Sequence, residues 1–413
     1  MTRIAIISDI HFGRDARIPE FQVPGNLSKI VDTGAEPFEE GLKKLLREMK
    51  PDYFFVSGDL TSVGEPQEFY YCEKKILELA NSIQIESQNI ICGLGNHDID
   101  WNISQIATEK IEREKSMISP EVAELITKKY QRIAANSGTQ CMELIQQPEE
   151  RGPVPFSGIV KRDDFIVFVL NTGWMCVRSQ KYSHGKLSDK QLKWFEKCAK
   201  EYKDDNRTKI VLMHHHPMKY SYPTLTEDIS LMEESAEFMD IVGSNRINIV
   251  IHGHRHHPRT QTMILRNGSL PVAFICAGSL SVNPDQRENG DIPNTIHFLE
   301  IDKNKDYYML YNYKYTGAAG WEKIDQNNKE TPMDPIMKIG KVFSEIDIKN
   351  AIKSYLTVKD FIHLEWEELD ECLQFMPCNE LNDLFREILA EKFYISGFFP
   401  ESVSLVAKNQ GAS

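Results

Sequence analysis

The chain has 413 residues and a net charge of −13, from 48 Lys and Arg against 61 Asp and Glu. Its 41% hydrophobic and 26% charged residues are typical of a globular protein and exclude disordered, collagen-like and coiled-coil classes. At roughly 150 residues per domain, the length predicts two or three domains, or one large domain with an appendage. The acidic balance argues against a protein that coats nucleic acid by neutralising phosphates.

The sequence predicts a cytoplasmic protein with reduced thiols and no membrane partner. No apolar run approaches the roughly 20 residues that span a bilayer, and the apolar run at residues 4–7 is too short for a signal peptide. None of the eight cysteines forms a Cys-x-x-Cys pair, and several lie in apolar segments. We therefore expect buried thiols rather than a disulfide framework or a zinc ribbon.

The first 300 residues alternate short apolar runs with longer amphipathic segments. The apolar runs predict buried strands at residues 3–7, 53–56, 89–92, 165–170, 209–213, 247–251 and 272–276. The amphipathic segments predict helices at residues 36–49, 66–80, 120–136, 188–202 and 233–242. This alternation indicates an α/β architecture, and strand-rich stretches at 293–302 and 307–315 predict a second, partly antiparallel sheet.

Two segments fall outside this alternation. We expect a main domain over residues 1–331, interrupted by an insertion at about 100–155, and a small α-helical C-terminal appendage over residues 332–413. Helical spacing of apolar residues supports the appendage, and Thr357-Val-Lys-Asp360 looks like a capping box that opens a further helix. Its apolar stripes either pack on their own core, or dock a second copy of the chain or another protein.

Five segments share one pattern, in which an apolar strand stops and polar side chains suited to metal binding follow at once. They are Asp9-Ile-His11, Gly58-Asp59, Gly95-Asn96-His97-Asp98, His214-His215-His216 and Gly253-His254-Arg255-His256. Each alone could be an ordinary polar turn. In an open α/β sheet, however, the carboxyl ends of the strands face one crevice, so we expect these side chains to converge. Their oxygen and nitrogen donors suit Mn²⁺, Fe or Zn²⁺ rather than thiolate-preferring metals.

These five motifs, in this order, resemble the calcineurin-like metallophosphoesterase superfamily. The segment Gly58-Asp-Leu-Thr61 and the residues around Trp194 are similar to its class III cyclic-nucleotide phosphodiesterase branch. The resemblance covers roughly residues 1–302 and leaves out the insertion and the tail. It implies an α/β fold of two mixed β-sheets packed face to face and flanked by helices, the metallophosphoesterase sandwich.

The resemblance also implies two divalent metal ions (Mn²⁺, Fe²⁺ or Fe³⁺, or Zn²⁺) bridged by one carboxylate. The implied ligands are Asp9, His11 and His256 for the first ion, Asn96, His214 and His254 for the second, and Asp59 for both. Of the other histidines, His215 and His216 are expected to be structural or to surround the ligands, and His252 and His257 to lie outside the ligand set.

The implied reaction is hydrolysis of a phosphodiester, a cyclic nucleotide or a similar small substrate, by a hydroxide that bridges the two metals. His97 is then the candidate general acid for the leaving group, and Asp98 the group that orients its ring. Arg14 and Arg255 could contact phosphate oxygens or simply be surface charges.

Two alternatives compete with this reading. An Mre11-like DNA or RNA nuclease uses a related ligand set, and the insertion and tail could grip a polymer; the net charge of −13 argues against it. A non-catalytic scaffold on the same fold, such as a retromer subunit, is the other. All seven ligand positions and His97 are filled in this sequence, which argues against the scaffold.

Overall fold

The computed structural model describes residues 1–25, 37–100, 148–174, 184–219, 231–283, 292–324 and 333–408, together with residues 103, 119, 122 and 176. The strands are β1 (Thr2–Ile7), β2 (Tyr53–Ser57), β3 (Ile90–Gly93), β4 (Glu150–Arg151), β5 (Gly158–Lys161), β6 (Phe165–Val169), β7 (Thr208–Leu212), β8 (Ile249–His252), β9 (Arg259–Ile264), β10 (Pro271–Cys276), β11 (Asn294–Ile301), β12 (Tyr308–Thr316), β13 (Gly320–Lys323), β14 (Ile336–Ile339), β15 (Phe361–Glu365), β16 (Phe393–Phe398) and β17 (Ser402–Ala407). The α-helices are Phe38–Met49, Pro66–Asn81, Asp189–Glu201, Ser235–Ser244, Glu345–Ser354, Glu371–Gln374 and Cys378–Leu389.

Two large mixed sheets form the main body of the described chain. The first has the order β13-β12-β11-β1-β2-β3, with β14 also paired to β12. Its strands β1, β2 and β3 are parallel, and β11 runs antiparallel to β1. The second has the order β4-β5-β6-β7-β8-β10-β9, in which β6, β7, β8 and β10 are parallel. The parallel strands follow the predicted apolar runs, as expected for strands buried on both faces.

Side-chain alternation along the strands makes the two sheets a sandwich. Ile4 and Ile6 of β1 belong to the same core as Val167 of the second sheet, so this core lies between the sheets. Ala5 and Ile7 point the other way, into a core shared with the helices Phe38–Met49 and Pro66–Asn81. The outer face of the second sheet is covered in the same manner by the helices Asp189–Glu201 and Ser235–Ser244. The predicted sandwich flanked by helices is confirmed.

The C-terminal appendage differs from the prediction, because it contains strands as well as helices. Strands β15, β17 and β16 form an antiparallel sheet that packs with the helices Glu345–Ser354 and Cys378–Leu389 around a separate core. The predicted helix after Thr357 is wrong: the Thr357 hydroxyl donates backwards to the carbonyl of Ser354 (2.8 Å), and the chain continues into β15. Period-two alternation in β15 buries Leu364 between exposed neighbours, which favours a strand over a helix.

The segment assigned to the appendage also contributes to the first sheet, because β14 pairs with β12 there. The predicted helix at residues 120–136 and most of the insertion lie outside the described residues. The seven cysteines in the described chain are all buried and none forms a disulfide, as expected. Among the described residues, no helix combines the length and apolarity that crossing a bilayer requires.

Candidate metal centre

The polar residues that follow the strands have an unusual backbone conformation. Asp9, His11, Asp59, His254 and His256 have φ angles of 49°, 47°, 49°, 84° and 58°. Residues with a Cβ rarely adopt this left-handed region, and each instance costs on the order of 1–3 kcal/mol. Such strain persists where the surrounding structure holds it. All five residues were singled out from the sequence.

The structure brings Asp9, His11 and His256 together in one cluster, whose donor atoms lie within 4.8 Å of one another. Asp9 Oδ1 is 3.3 Å from His256 Nε2 and 3.9 Å from His11 Nε2. The carboxylate is fixed from behind: the Ser8 hydroxyl donates to Oδ2 (2.5 Å), and the His254 amide donates to both oxygens.

A second cluster adjoins the first and contains Asp59, His214 and His254, again with donor atoms within 4.8 Å. Asp59 Oδ2 lies 3.1 Å from His214 Nε2 and 3.4 Å from His11 Nε2, so one oxygen faces both clusters. His214 Nδ1 lies 2.9 Å from the carbonyl oxygen of Ser57. Since a carbonyl only accepts, Nδ1 carries a proton, and Nε2 is the atom that presents a lone pair to the cluster when the ring is neutral.

The electrostatics of the two clusters favour cations. Burial alone would raise the pKa of Asp9 and Asp59, but the neighbouring histidines hold both carboxyl pKa values well below their usual range. Burial opposes protonation of His11 and His214, yet the two carboxylates outweigh it and raise the pKa of His11 to about 10 and that of His214 to about 9. Two buried carboxylates thus demand compensating positive charge. A pair of divalent cations, held by these carboxylates and imidazoles, fits that demand and this donor set.

Asn96 and His97 lie beside the shared carboxylate. Asn96 is buried, and the backbone amide of His97 donates to Asp59 Oδ1 (2.8 Å). The His97 ring packs edge-on against His11, with centroids 4.5 Å apart, and its Nδ1 is 2.7 Å from the carbonyl oxygen of Ser62. Burial lowers the pKa of His97 to about 4.

Asp98 has a different place from the one expected. Its Oδ1 accepts hydrogen bonds from the amide (2.9 Å) and hydroxyl (3.0 Å) of Thr61, and its Oδ2 accepts from the amide of Gly95 (2.9 Å). The carboxylate therefore ties the loop after β2 to the loop after β3, and the Ser62 carbonyl is the group that orients Nδ1 of His97. Burial, and then the charge of Asp59, raise the pKa of Asp98 to about 6.

Asp15 was missed by the sequence reasoning. A donor atom of Asp15 lies within 4.8 Å of donor atoms of both His11 and His97. Its position six residues after Asp9, in the same loop, is the signal that could have identified it. Ser62 acts through its backbone carbonyl and gives no such signal. The neighbouring Arg14 is exposed and pairs with Asp15, Nε to Oδ1, at 3.8 Å.

Gly253 is required by the closeness of two strand ends. A Cβ on Gly253 would overlap Ser8 Oγ and Asp9 Oδ2. We expect Gly253→Ala to displace the Asp9 carboxylate, to lower the free energy of unfolding by about 1–3 kcal/mol, and to weaken metal binding. Urea unfolding and metal titration measure both effects. Gly93→Ala is the matched control, because a Cβ there meets Val56 O at an ordinary 3.7 Å. Equal stability and metal affinity of the two variants would contradict this account.

Comparison with known proteins gives the family to which this chain belongs. Residues 2–258 match the Metallophos family, described as calcineurin-like phosphoesterase. A search of curated protein sequences gave no match. A dimetal phosphatase from Danio rerio is similar at 10% identity, over 75% of this chain and 95% of that one, with a TM-score of 0.43.

Two further solved structures are similar at comparable levels. For purple acid phosphatase from yellow lupin (Lupinus luteus) seeds, the values are 13% identity, 76% and 51% coverage, and a TM-score of 0.47. For a putative 5′-nucleotidase from Staphylococcus aureus, they are 12%, 95% and 59%, and 0.38. Because these scores are low, the assignment rests on the family match, which spans more than half of the sequence. The chain belongs to the calcineurin-like phosphoesterase family.

Proposed function

We propose that this protein hydrolyses a small phosphodiester, a cyclic nucleotide or a similar compound, with the help of two divalent cations. The observation that carries the proposal is the position of Asp59 Oδ2, 3.4 Å from His11 and 3.1 Å from His214. One oxygen is thereby available to two adjoining clusters of metal donors. A bridging carboxylate needs this arrangement, whereas a structural carboxylate or a single-ion site does not.

The proposed ligands are those expected from the sequence. They are Asp9, His11 and His256 for one ion, Asn96, His214 and His254 for the other, and Asp59 for both. When bound, the two cations would lower the pKa of a water molecule and neutralise phosphoryl oxygens. Mn²⁺, Fe²⁺ or Fe³⁺, and Zn²⁺ all suit this donor set.

The chain's own contribution is to hold the donors rigidly. Ser8 and the His254 amide fix the Asp9 carboxylate, and the Ser57 carbonyl fixes the ring of His214. Hydrogen bonds of this kind orient ligands and set the tautomer of an imidazole. Since in-line attack on phosphorus depends on position, a rigid donor set favours the reaction.

We assign His97 the role of general acid toward the leaving oxygen. Its Nδ1 donates to the Ser62 carbonyl, so Nε2 can donate a proton only when the ring is positively charged. Burial disfavours that charge, but the negative charge of a phosphate substrate beside the ring would favour it. Proton delivery would then be linked to substrate binding. Asp98 supports this indirectly, through the loops that it joins.

The charge of the chain favours a small substrate over a polymer. A net charge of −13 disfavours a long polyanion, while two dications at the site would attract a compact one. A cytoplasmic location belongs to the same proposal, supported by the seven described cysteines that form no disulfide.

Parallel assays with one metal at a time test the proposed reaction. The substrates are bis-p-nitrophenyl phosphate, p-nitrophenyl phosphate, cyclic AMP, single-stranded DNA and RNA, each with Mn²⁺, Fe²⁺ or Zn²⁺. We expect metal-dependent turnover of the small diesters to exceed that of the polymers and of the monoester. Preferred cleavage of DNA or RNA would establish the nuclease alternative instead. No turnover with any metal would favour the scaffold.

A further inference from the structure

We propose that His216, His252 and Cys276 form a third metal site, separate from the two catalytic clusters and suited to Zn²⁺. Donor atoms of these three residues lie within 4.8 Å of one another. All three residues are fully buried. From the sequence we expected both histidines to lie outside the ligand set and the cysteine to be a buried thiol.

Strand pairing explains why His252 and Cys276 meet. They are direct partners at the carboxyl ends of the parallel strands β8 and β10. Alternation places Val250 and Phe274 in the core on the outer face of the sheet. His252 and Cys276 follow these residues by two positions and therefore share that face.

His216 completes the group from the loop that follows a third parallel strand, β7. It lies four residues beyond the end of β7, which pairs with β8, and its ring centroid is 4.8 Å from that of His252. His216 and His252 each lie two residues from a proposed catalytic ligand, His214 and His254. The histidine-rich loops thus supply two neighbouring sites. The His216 ring centroid is 6.2 Å from that of His254.

The donor chemistry distinguishes this group from the catalytic pair. Two imidazoles and one thiol are borderline to soft donors, a set that Zn²⁺ and Co²⁺ accept. Mn²⁺ prefers carboxylate, carbonyl and water oxygens, which this group lacks. The Cys276 Sγ lies 3.7 Å from the Gly253 carbonyl oxygen, where a neutral thiol would donate. Metal ligation would release that proton to solvent and leave a sulfur–metal bond in its place.

Cobalt substitution gives a direct test, because a thiolate ligand to Co²⁺ produces a sulfur-to-metal charge-transfer band in the near ultraviolet. The proposed catalytic ligands contain no sulfur. Since the third site is buried, metal should enter as the chain folds, so the full-length protein is produced in cobalt-supplemented medium and kept reduced. We expect three cobalt ions per chain and the charge-transfer band. In Cys276→Ser we expect two ions and no band.

Cys92→Ser is the matched control, because Cys92 is likewise a buried thiol in a parallel strand but belongs to none of the groups of metal-binding side chains. It should keep three ions and the band. A wild-type protein with two ions and no band would overturn the proposal without any variant. A band that persists in Cys276→Ser would also overturn it. If only the two proposed catalytic ions failed to bind, the protein would hold one cobalt ion and still show the band.

Discussion

Asp59→Asn is expected to abolish hydrolysis of bis-p-nitrophenyl phosphate. Among the described residues, Asp59 is the one whose carboxylate oxygen faces both clusters, so the amide would weaken the binding of both ions at once. Loss of a residue that only hydrogen-bonds to a metal ligand lowers metal affinity or activity about 10–100-fold. We therefore expect turnover to fall by more than about 10²-fold, with fewer bound metal ions by elemental analysis.

The control for this variant is Asp204→Asn, which makes the same chemical change at an exposed surface position. It should keep wild-type turnover and metal content. Circular dichroism and thermal unfolding establish that both variants are folded. If folded Asp59→Asn retained near wild-type turnover, the assignment of a shared ligand would be wrong.

His97→Ala is expected to separate metal binding from catalysis. Its ring is held by the Ser62 carbonyl and packs against His11, but it is not one of the proposed ligands. A general acid contributes roughly 10²–10⁴-fold. We expect a loss of this size with alkyl leaving groups and a smaller loss with p-nitrophenolate, which leaves readily without a proton. The slope of turnover against leaving-group pKa measures the difference.

His363→Ala is the matched control, since His363 is an exposed histidine on the appendage sheet. It should leave the leaving-group dependence unchanged. Two results would contradict the role of His97: loss of metal from the variant, or an equal loss of turnover across the leaving-group series.

The main body could be predicted from sequence because its strands are apolar runs that end at polar residues. Parallel strands buried on both faces leave this signal in the chain, as residues 4–7 and 209–213 illustrate. The appendage was harder because its strands are half exposed. In β15 only Leu364 is buried, and Thr357 imitates the start of a helix. Helical spacing elsewhere in the tail was sufficient, as the helix Cys378–Leu389 shows.

The sequence predicted that six of the polar side chains would come together, but it predicted neither their contacts nor the presence of Asp15. The six are Asp9, His11, Asp59, His214, His254 and His256. Because the carboxyl ends of the strands in an open α/β sheet face one crevice, the sequence predicted that Asp9, Asp59 and His214 would lie together. Whether Asp98 turns toward His97 or toward the amide of Gly95 depends on turn geometry that the sequence does not state. Backbone groups such as the Ser62 carbonyl carry no side-chain signal at all.

The third group of metal-binding side chains could not be predicted from the sequence for another reason. His216, His252 and Cys276 lie on three different strands or strand ends, with long stretches of chain between them. Strand register pairs His252 with Cys276, strand order brings the loop after β7 beside them, and both are properties of the folded sheet.

The central claim is that two cations are held side by side by Asp59, and electron paramagnetic resonance of the Mn²⁺-loaded protein tests it most directly. The proposed third site lacks oxygen donors and should not compete for Mn²⁺. Two Mn²⁺ ions that share a carboxylate should give an exchange-coupled spectrum, with hyperfine lines more closely spaced than those of an isolated ion. In Asp59→Asn this coupling should disappear. A wild-type spectrum of isolated Mn²⁺ alone, at two bound ions per chain, would contradict the shared-ligand centre.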